Sequence, residues 1–177
     1  LELDTEQRLR EAIEVGRIVP HYQPVVDLND RRVRGVELLS RWQDPARGLV
    51  PPGEFIALAE RSGLIGALTL AVLRQACEDS KRMPAHWRIA INVAPQQIQN
   101  GALVPQLLEV MRVAGVDPRR FEVELTETAL VGDIDAARCT IDALKRHGIT
   151  VALDDFGTGF SSLGCLSQLS FDKIKID

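Results

Sequence analysis

Seven residues could do chemistry together: Glu37, Arg41, Asn92, Glu124, Asp154, Asp155 and Lys175. Glu37, Asn92, Glu124, Asp154 and Asp155 offer four carboxylates and one amide. Such a set can satisfy two hard divalent cations, with Asp154 as the natural bridge, and oxygen donors suit magnesium or manganese better than zinc. Two such ions can bind a phosphoryl group, make water a nucleophile and stabilise the leaving oxygen. Lys175 would stand among the acids as a charged donor, and Arg41 offers a bidentate fork for phosphate. Plainer roles stay open for each residue. Glu37 could pair with Arg41, Asn92 could be a hydrogen-bonded interior amide, and Lys175 could be an ion-pair partner without chemistry. Glu124 is harder to explain as structure, because glutamate is rarely buried without a partner. The same acids and lysine would also suit an enzyme that abstracts a proton next to a carboxylate.

The elements that must carry these residues read as strands. Residues 149–153 form a strand that runs into Asp154-Asp155 and then Gly157-Thr158-Gly159-Phe160-Ser161-Ser162. Glycines let the backbone turn sharply and approach a ligand closely, and a serine can cap the short helix expected over 162–169. Taken alone, the stretch fits a solvated Asp-Asp turn before a helix better than a metal site. Glu127 could be solvated or could accept bonds from this loop. Strand alternation supplies the stronger argument, because successive side chains point to opposite faces. Ile89, Ile91 and Val93 share one face and Asn92 takes the other; Val123 and Leu125 oppose Glu122 and Glu124; Val151 and Leu153 oppose Asp154; Ile174 and Ile176 oppose Lys173 and Lys175; Val36 and Leu38 oppose Glu37 and Arg41. A branched apolar face suits helices packed outside. A small or polar face suits the interior of a barrel whose chemistry lies at its C-terminal mouth.

The order of elements agrees. Asp4 with Gln7 resembles a capping box for a first helix ending at Gly16. Residues 21–28 and 33–42 read as two strands joined by a tight turn, and so antiparallel. Helices are expected over 55–60, 64–82, 104–114 (stopping at Gly115) and 134–147. Strands are expected over 89–93, 121–125, 149–153 and 172–176. Alternating strands and helices imply an α/β fold with a mainly parallel sheet, closed as a TIM-type barrel or open and doubly wound.

Composition narrows the function. The 177 residues suffice for one domain with a substantial core. Lys plus Arg is 21 and Asp plus Glu is 25, a net charge of −4, which argues against duplex nucleic acid as a partner. No apolar stretch is long enough to span a bilayer, so no membrane contact by this domain is expected. Cys77, Cys139 and Cys165 form no CxxC pair and read as buried thiols in a reducing, cytoplasmic compartment.

Taken together, the motifs are similar to those of the EAL domain family, the cyclic di-GMP phosphodiesterases of bacterial second-messenger signalling. The resemblance runs from His21 through Tyr22-Gln23-Pro24, Gly35-Val36-Glu37-Leu38-Leu39-Ser40-Arg41-Trp42 and Ile91-Asn92-Val93. It continues through Glu124-Leu125-Thr126-Glu127, Asp154-Asp155-Phe156-Gly157-Thr158-Gly159 and Lys175-Ile176-Asp177. The resemblance implies a modified (β/α)8 barrel whose first strand is antiparallel, with about six strands covered here. It implies that Glu37, Asn92, Glu124 and Asp154 hold one Mg2+ or Mn2+, and that Asp154 and Asp155 hold a second. Glu37, Asp155 and Lys175 would be catalytic, with Lys175 orienting or activating water. Gln23 and Arg41 would contact the dinucleotide. Glu127 would anchor the loop 157–162, which in the family couples the substrate site to a homodimer interface. The product would be linear pGpG, and a sensor or GGDEF-type domain would lie upstream, the parent protein being membrane-tethered or not. Two departures stand out. The signature triplet is Glu37-Leu38-Leu39 rather than Glu-Ala-Leu, with Leu38 on the outward face. The chain also stops after the sixth strand, without the family's last two strand–helix units, so the expectation is a C-terminally incomplete domain. If this were the whole protein, a non-hydrolysing receptor for cyclic di-GMP or a protein partner would be the rival reading.

Overall fold

The computed structural model describes residues 2–130, 133–157 and 169–176. Helix α1 (Glu2–Glu14) leads into strand β1 (Ile18–Val26), which pairs antiparallel with β2 (Val33–Asp44). A short β3 (Gly48–Val50) folds back on the end of β2. Helices α2 (Pro52–Arg61) and α3 (Ile65–Ser80) precede β4 (Arg88–Asn92). Then come α4 (Pro95–Ile98), α5 (Leu103–Ala114), β5 (Phe121–Thr126), α6 (Ile134–Arg146), β6 (Thr150–Asp154) and β7 (Lys173–Ile174), with 3-10 turns at Pro118–Arg120 and Glu127–Leu130. The sheet order is β1-β2-β4-β5-β6-β7, and every pair from β2 to β7 along that path is parallel.

Right-handed strand–helix–strand connections place the helices against one face of such a sheet. The outward strand residues Val36, Leu38, Ile89, Ile91, Val123, Val151 and Leu153 are all buried in one core with Leu9, Phe55, Leu73, Leu107 and Ile141 from the helices. Leu38, the residue that departs from the family triplet, is among them at 3% exposure, so it fills space between strand and helix. Trp42 of β2 meets Phe55 of α2 edge to face, with ring centroids 6.1 Å apart. Tyr22 of β1 donates its hydroxyl to Asp79 Oδ2 of α3 at 2.5 Å. That bond ties the antiparallel strand to the helical layer.

Several expectations shift. Asp4 lies inside α1 rather than capping it, because the helix already runs from Glu2. Cys77 is buried as expected, but Cys139 is exposed on the outer face of α6, and Cys165 lies outside the described residues. The last strand is two residues long rather than five, and the helix expected over 162–169 falls almost wholly outside the described residues. Helix α5 does end as expected, with Gly115 in the left-handed conformation (φ 69°), where it costs no Cβ strain. Among the described residues no helix is long and apolar enough to cross a membrane.

One glycine fixes how closely β2 approaches β4. Gly35 is the partner of Arg88, and a Cβ at Gly35 would meet the Arg88 carbonyl oxygen at 2.3 Å. A methyl group there must push two paired backbones apart. Gly35→Ala should therefore cost about 1–3 kcal/mol and lower the thermal midpoint by about 2–10 °C. Thermal unfolding followed by circular dichroism tests this; an unchanged midpoint would mean that the two strands separate there freely.

Candidate active site

The inward faces of the strands bring five of the chemical residues together. Lys175 follows β7, and its Nζ lies 2.8 Å from Glu124 Oε2, 3.2 Å from Glu37 Oε2 and 3.2 Å from Asp154 Oδ2. Asn92 Nδ2 donates to the other oxygen of Glu37, Oε1, at 2.8 Å. Each carboxylate comes from a different strand: Glu37 from β2, Glu124 from β5 and Asp154 from β6. One oxygen from each lies within 4.8 Å of the others. Three hard oxygen donors this close, beside an amide, could hold a hard metal cation.

The electrostatics are those of an under-neutralised cluster. Burial pushes the Glu124 carboxyl up to about 7; the Lys175 hydrogen bond opposes the rise, while the charges of Glu37 and Asp154 add to it. Burial disfavours the Lys175 ammonium, but the bond and charge of Glu124, with Glu37 and Asp154, outweigh that and raise its pKa. The simple pairing of Glu37 with Arg41 does not occur. Glu37 is taken by Lys175 and Asn92, and Arg41 donates to its neighbour's carbonyl, Ser40 O, at 2.9 Å.

Other expected residues sit around this cluster. Asp155 lies outside the three-carboxylate group. Its N–H donates to Asp154 Oδ1 at 3.0 Å, and its backbone is left-handed, with φ 54°. Buried Glu127 accepts the Gly157 N–H on Oε1 at 3.2 Å, so the start of the glycine-rich loop is anchored; residues 158–162 lie outside the described residues. Gln23 is exposed on β1 directly across from Glu37. Arg41 lines a cavity of about 460 Å3 with Leu39, Pro52, Ile56, Asn92 and Thr126; Asn92, whose amide bonds Glu37, is the cluster's contribution to its wall. Sequence reasoning passed over one interior pair: Lys173 Nζ lies 2.6 Å from Glu122 Oε2. Strand parity put both on the inner face, which was the available signal.

The model of the EAL domain matches residues 6–177. The chain belongs to the EAL domain family. An uncharacterized signaling protein of Caulobacter vibrioides is 46% identical over 169 residues, which are 96% of this chain and 21% of that protein. The cyclic di-GMP phosphodiesterase NbdA of Pseudomonas aeruginosa is 38% identical over 180 residues, 99% of this chain and 23% of NbdA. The chain thus spans about a fifth to a quarter of these relatives. The solved structure of the PaMucR phosphodiesterase in complex with c-di-GMP superimposes with a TM-score of 0.89 at 36% identity, over 97% of this chain and 71% of that one. The parallel sheet with its antiparallel first strand is therefore the TIM-type barrel of an EAL domain. A doubly wound open sheet is set aside.

The raised pKa of Glu124 makes a prediction for this EAL domain in EDTA. The group titrates near 4.5 without burial and near 7 when folded. The folded state then holds the proton longer, so this group's contribution to stability falls as pH rises from about 4.5 to about 7 and is flat above. Glu124→Gln should remove that fall. Thermal midpoints measured from pH 5 to 8 check it, and equal slopes for parent and variant would show that Glu124 is ionised throughout.

Proposed function

We propose that this chain belongs to a metal-dependent phosphodiesterase that hydrolyses cyclic di-GMP to linear pGpG. The observation that carries the reading is the convergence of Glu37, Asn92, Glu124, Asp154 and Lys175 on one point beside a cavity that Arg41 lines. Two named relatives support the substrate: NbdA is a cyclic di-GMP phosphodiesterase, and MucR of P. aeruginosa is a bifunctional diguanylate cyclase/cyclic di-GMP phosphodiesterase. The same reading includes a cytoplasmic location, a homodimer and an upstream sensor or GGDEF-type domain.

In this proposal Glu37, Asn92, Glu124 and Asp154 hold one Mg2+ or Mn2+, and Asp154 and Asp155 hold a second. Bound there, the ions supply Lewis acidity toward the phosphoryl group and a water nucleophile near neutral pH. The chain's own residues do the rest. Lys175, whose Nζ lies 2.8 Å from Glu124 Oε2 and 3.2 Å from Glu37 Oε2 and Asp154 Oδ2, would orient or activate the water and offer positive charge to the phosphoryl oxygens. Arg41 and Gln23 grip the dinucleotide from the two sides of Glu37, the former by a fork that matches phosphate. Glu127 holds Gly157 and with it the entry to the loop beside Asp155. Water adds its oxygen to phosphorus, the phosphorus–oxygen bond to one ribose breaks, the freed ribose oxygen takes one of the water's protons and leaves as a hydroxyl, the other proton goes to solvent, and the ring opens to linear pGpG.

The test is chromatographic detection of pGpG after mixing the full-length protein with cyclic di-GMP and Mn2+, beside an EDTA control. Metal-dependent product is expected. Glu37→Ala and Lys175→Ala should each lower kcat by about 100-fold or more. Retained binding of cyclic di-GMP without any product would instead identify a receptor.

A further inference from the structure

We propose that Asp172, outside the cluster, is a positioning residue that pins the register of β7 and so delivers Lys175 to the site; the catalytic part of this inference rests on the function proposed above. The need for a pin is plain from the strand itself. The β6–β7 ladder has two pairs, Ala152 with Lys173 and Leu153 with Ile174. A one-residue slip would exchange every inward side chain for an outward one. It would replace Lys173 and Lys175 at the inner face by Ile174 and Ile176. The lysine ion pairs resist it weakly, since a four-carbon stem can follow a moving backbone.

Asp172 meets the need with short, directional bonds. Its N–H donates to Val151 O at 2.9 Å, and its Oδ2 accepts the Val151 N–H at 2.9 Å. Both backbone groups of one β6 residue are thus satisfied by one residue, the carbonyl by its N–H and the N–H by a side chain with a single methylene. The other carboxylate oxygen, Oδ1, lies 2.9 Å from Lys145 Nζ of α6, which also donates to Ser170 O at 2.7 Å. The acid is held between helix and strand and cannot rotate away without breaking the ion pair. Lys175 lies three residues on; its N–H donates to Leu153 O at 2.7 Å and its carbonyl accepts the Phe156 N–H at 3.2 Å. Clamped below by Asp172 and above by these two bonds, the lysine stem has one route, toward Glu124.

The experiment compares the full-length parent, Asp172→Ala, Lys175→Ala and the double variant; Asp117, which caps the remote Pro118–Arg120 turn by accepting the Arg119 N–H on Oδ1 at 2.9 Å, supplies Asp117→Ala as a control for lost stability. Asp172→Ala should lower kcat by about 100-fold, the scale of an ångström-sized misplacement, with KM moved by less than about threefold. The double variant should be no slower than Lys175→Ala, as expected of residues that act as one unit. Asp117→Ala should keep the parent's kcat. Hydrogen exchange of the Lys175 amide should quicken by about tenfold or more in Asp172→Ala, with β4 and β5 unchanged. A parental kcat in Asp172→Ala, or a loss that adds to that of Lys175→Ala, overturns the proposal. If the parent yields no pGpG, the proposed function fails, and the exchange measurement alone decides the pin: unchanged protection at Lys175 overturns it. Should Asp172→Ala not fold, Lys145→Met removes the ion pair to Oδ1 together with the bond to Ser170 O; a kcat loss of about three- to tenfold is then expected, and no change in kcat or exchange overturns the idea.

Discussion

The structure depends on one ammonium held among three carboxylates. Partly buried acids cannot stay together in their charged form unless a cation sits between them. Lys175 supplies that charge to Glu37, Glu124 and Asp154. The cation comes from the last described strand and its farthest partner from the second, 138 residues earlier. Every intervening strand and helix must therefore be in place before the cluster can form. The apolar layer between sheet and helices has that consequence: it fixes the path along which distant polar residues meet.

The ladder registers show how the meeting is arranged. Glu37 pairs with Ala90, not with Asn92. Asn92 pairs with Glu124, and Glu124 with Ala152. Asp154 lies two residues further along its strand, beside Thr126. Site residues thus climb along successive strands even though their side chains converge. That climb is what strand tilt requires in a barrel, where residues at one height along the axis are offset in register. Lys173 and Glu122 share the inner face with Lys175 and Glu124 but stand two residues nearer the N-terminal ends of their strands, where they pair with each other.

This geometry explains how far the sequence alone could be read. Inner and outer faces follow from period-two alternation, and Glu37, Asn92, Glu124, Asp154 and Lys175 were all legible that way. The antiparallel first pair followed from the shortness of its connection. Height along the barrel was not legible, because parity treats Lys173 and Lys175 alike; motif resemblance alone separated them. In the sequence Asp172 reads as the start of a strand, because a carboxylate that imitates a strand's hydrogen bonds leaves no periodic trace. The short β3 and the one-turn α4 were missed, since runs of three or four residues are too brief to show a period. The exposure of Cys139 depends on which side of α6 faces the sheet, and a thiol's own chemistry does not settle that.

The left-handed backbone at Asp155 has an evolutionary consequence. Residues branched at Cβ are strained in that conformation, while aspartate, asparagine and glycine tolerate it. Backbone strain in the turn after β6 therefore sets no barrier between a charged, a neutral and an absent side chain at this position. Selection on an acid there acts through what the carboxylate does and not through the turn it occupies, whereas Glu124, wedged in the interior with Lys175 on its carboxylate, is held by packing and charge alike.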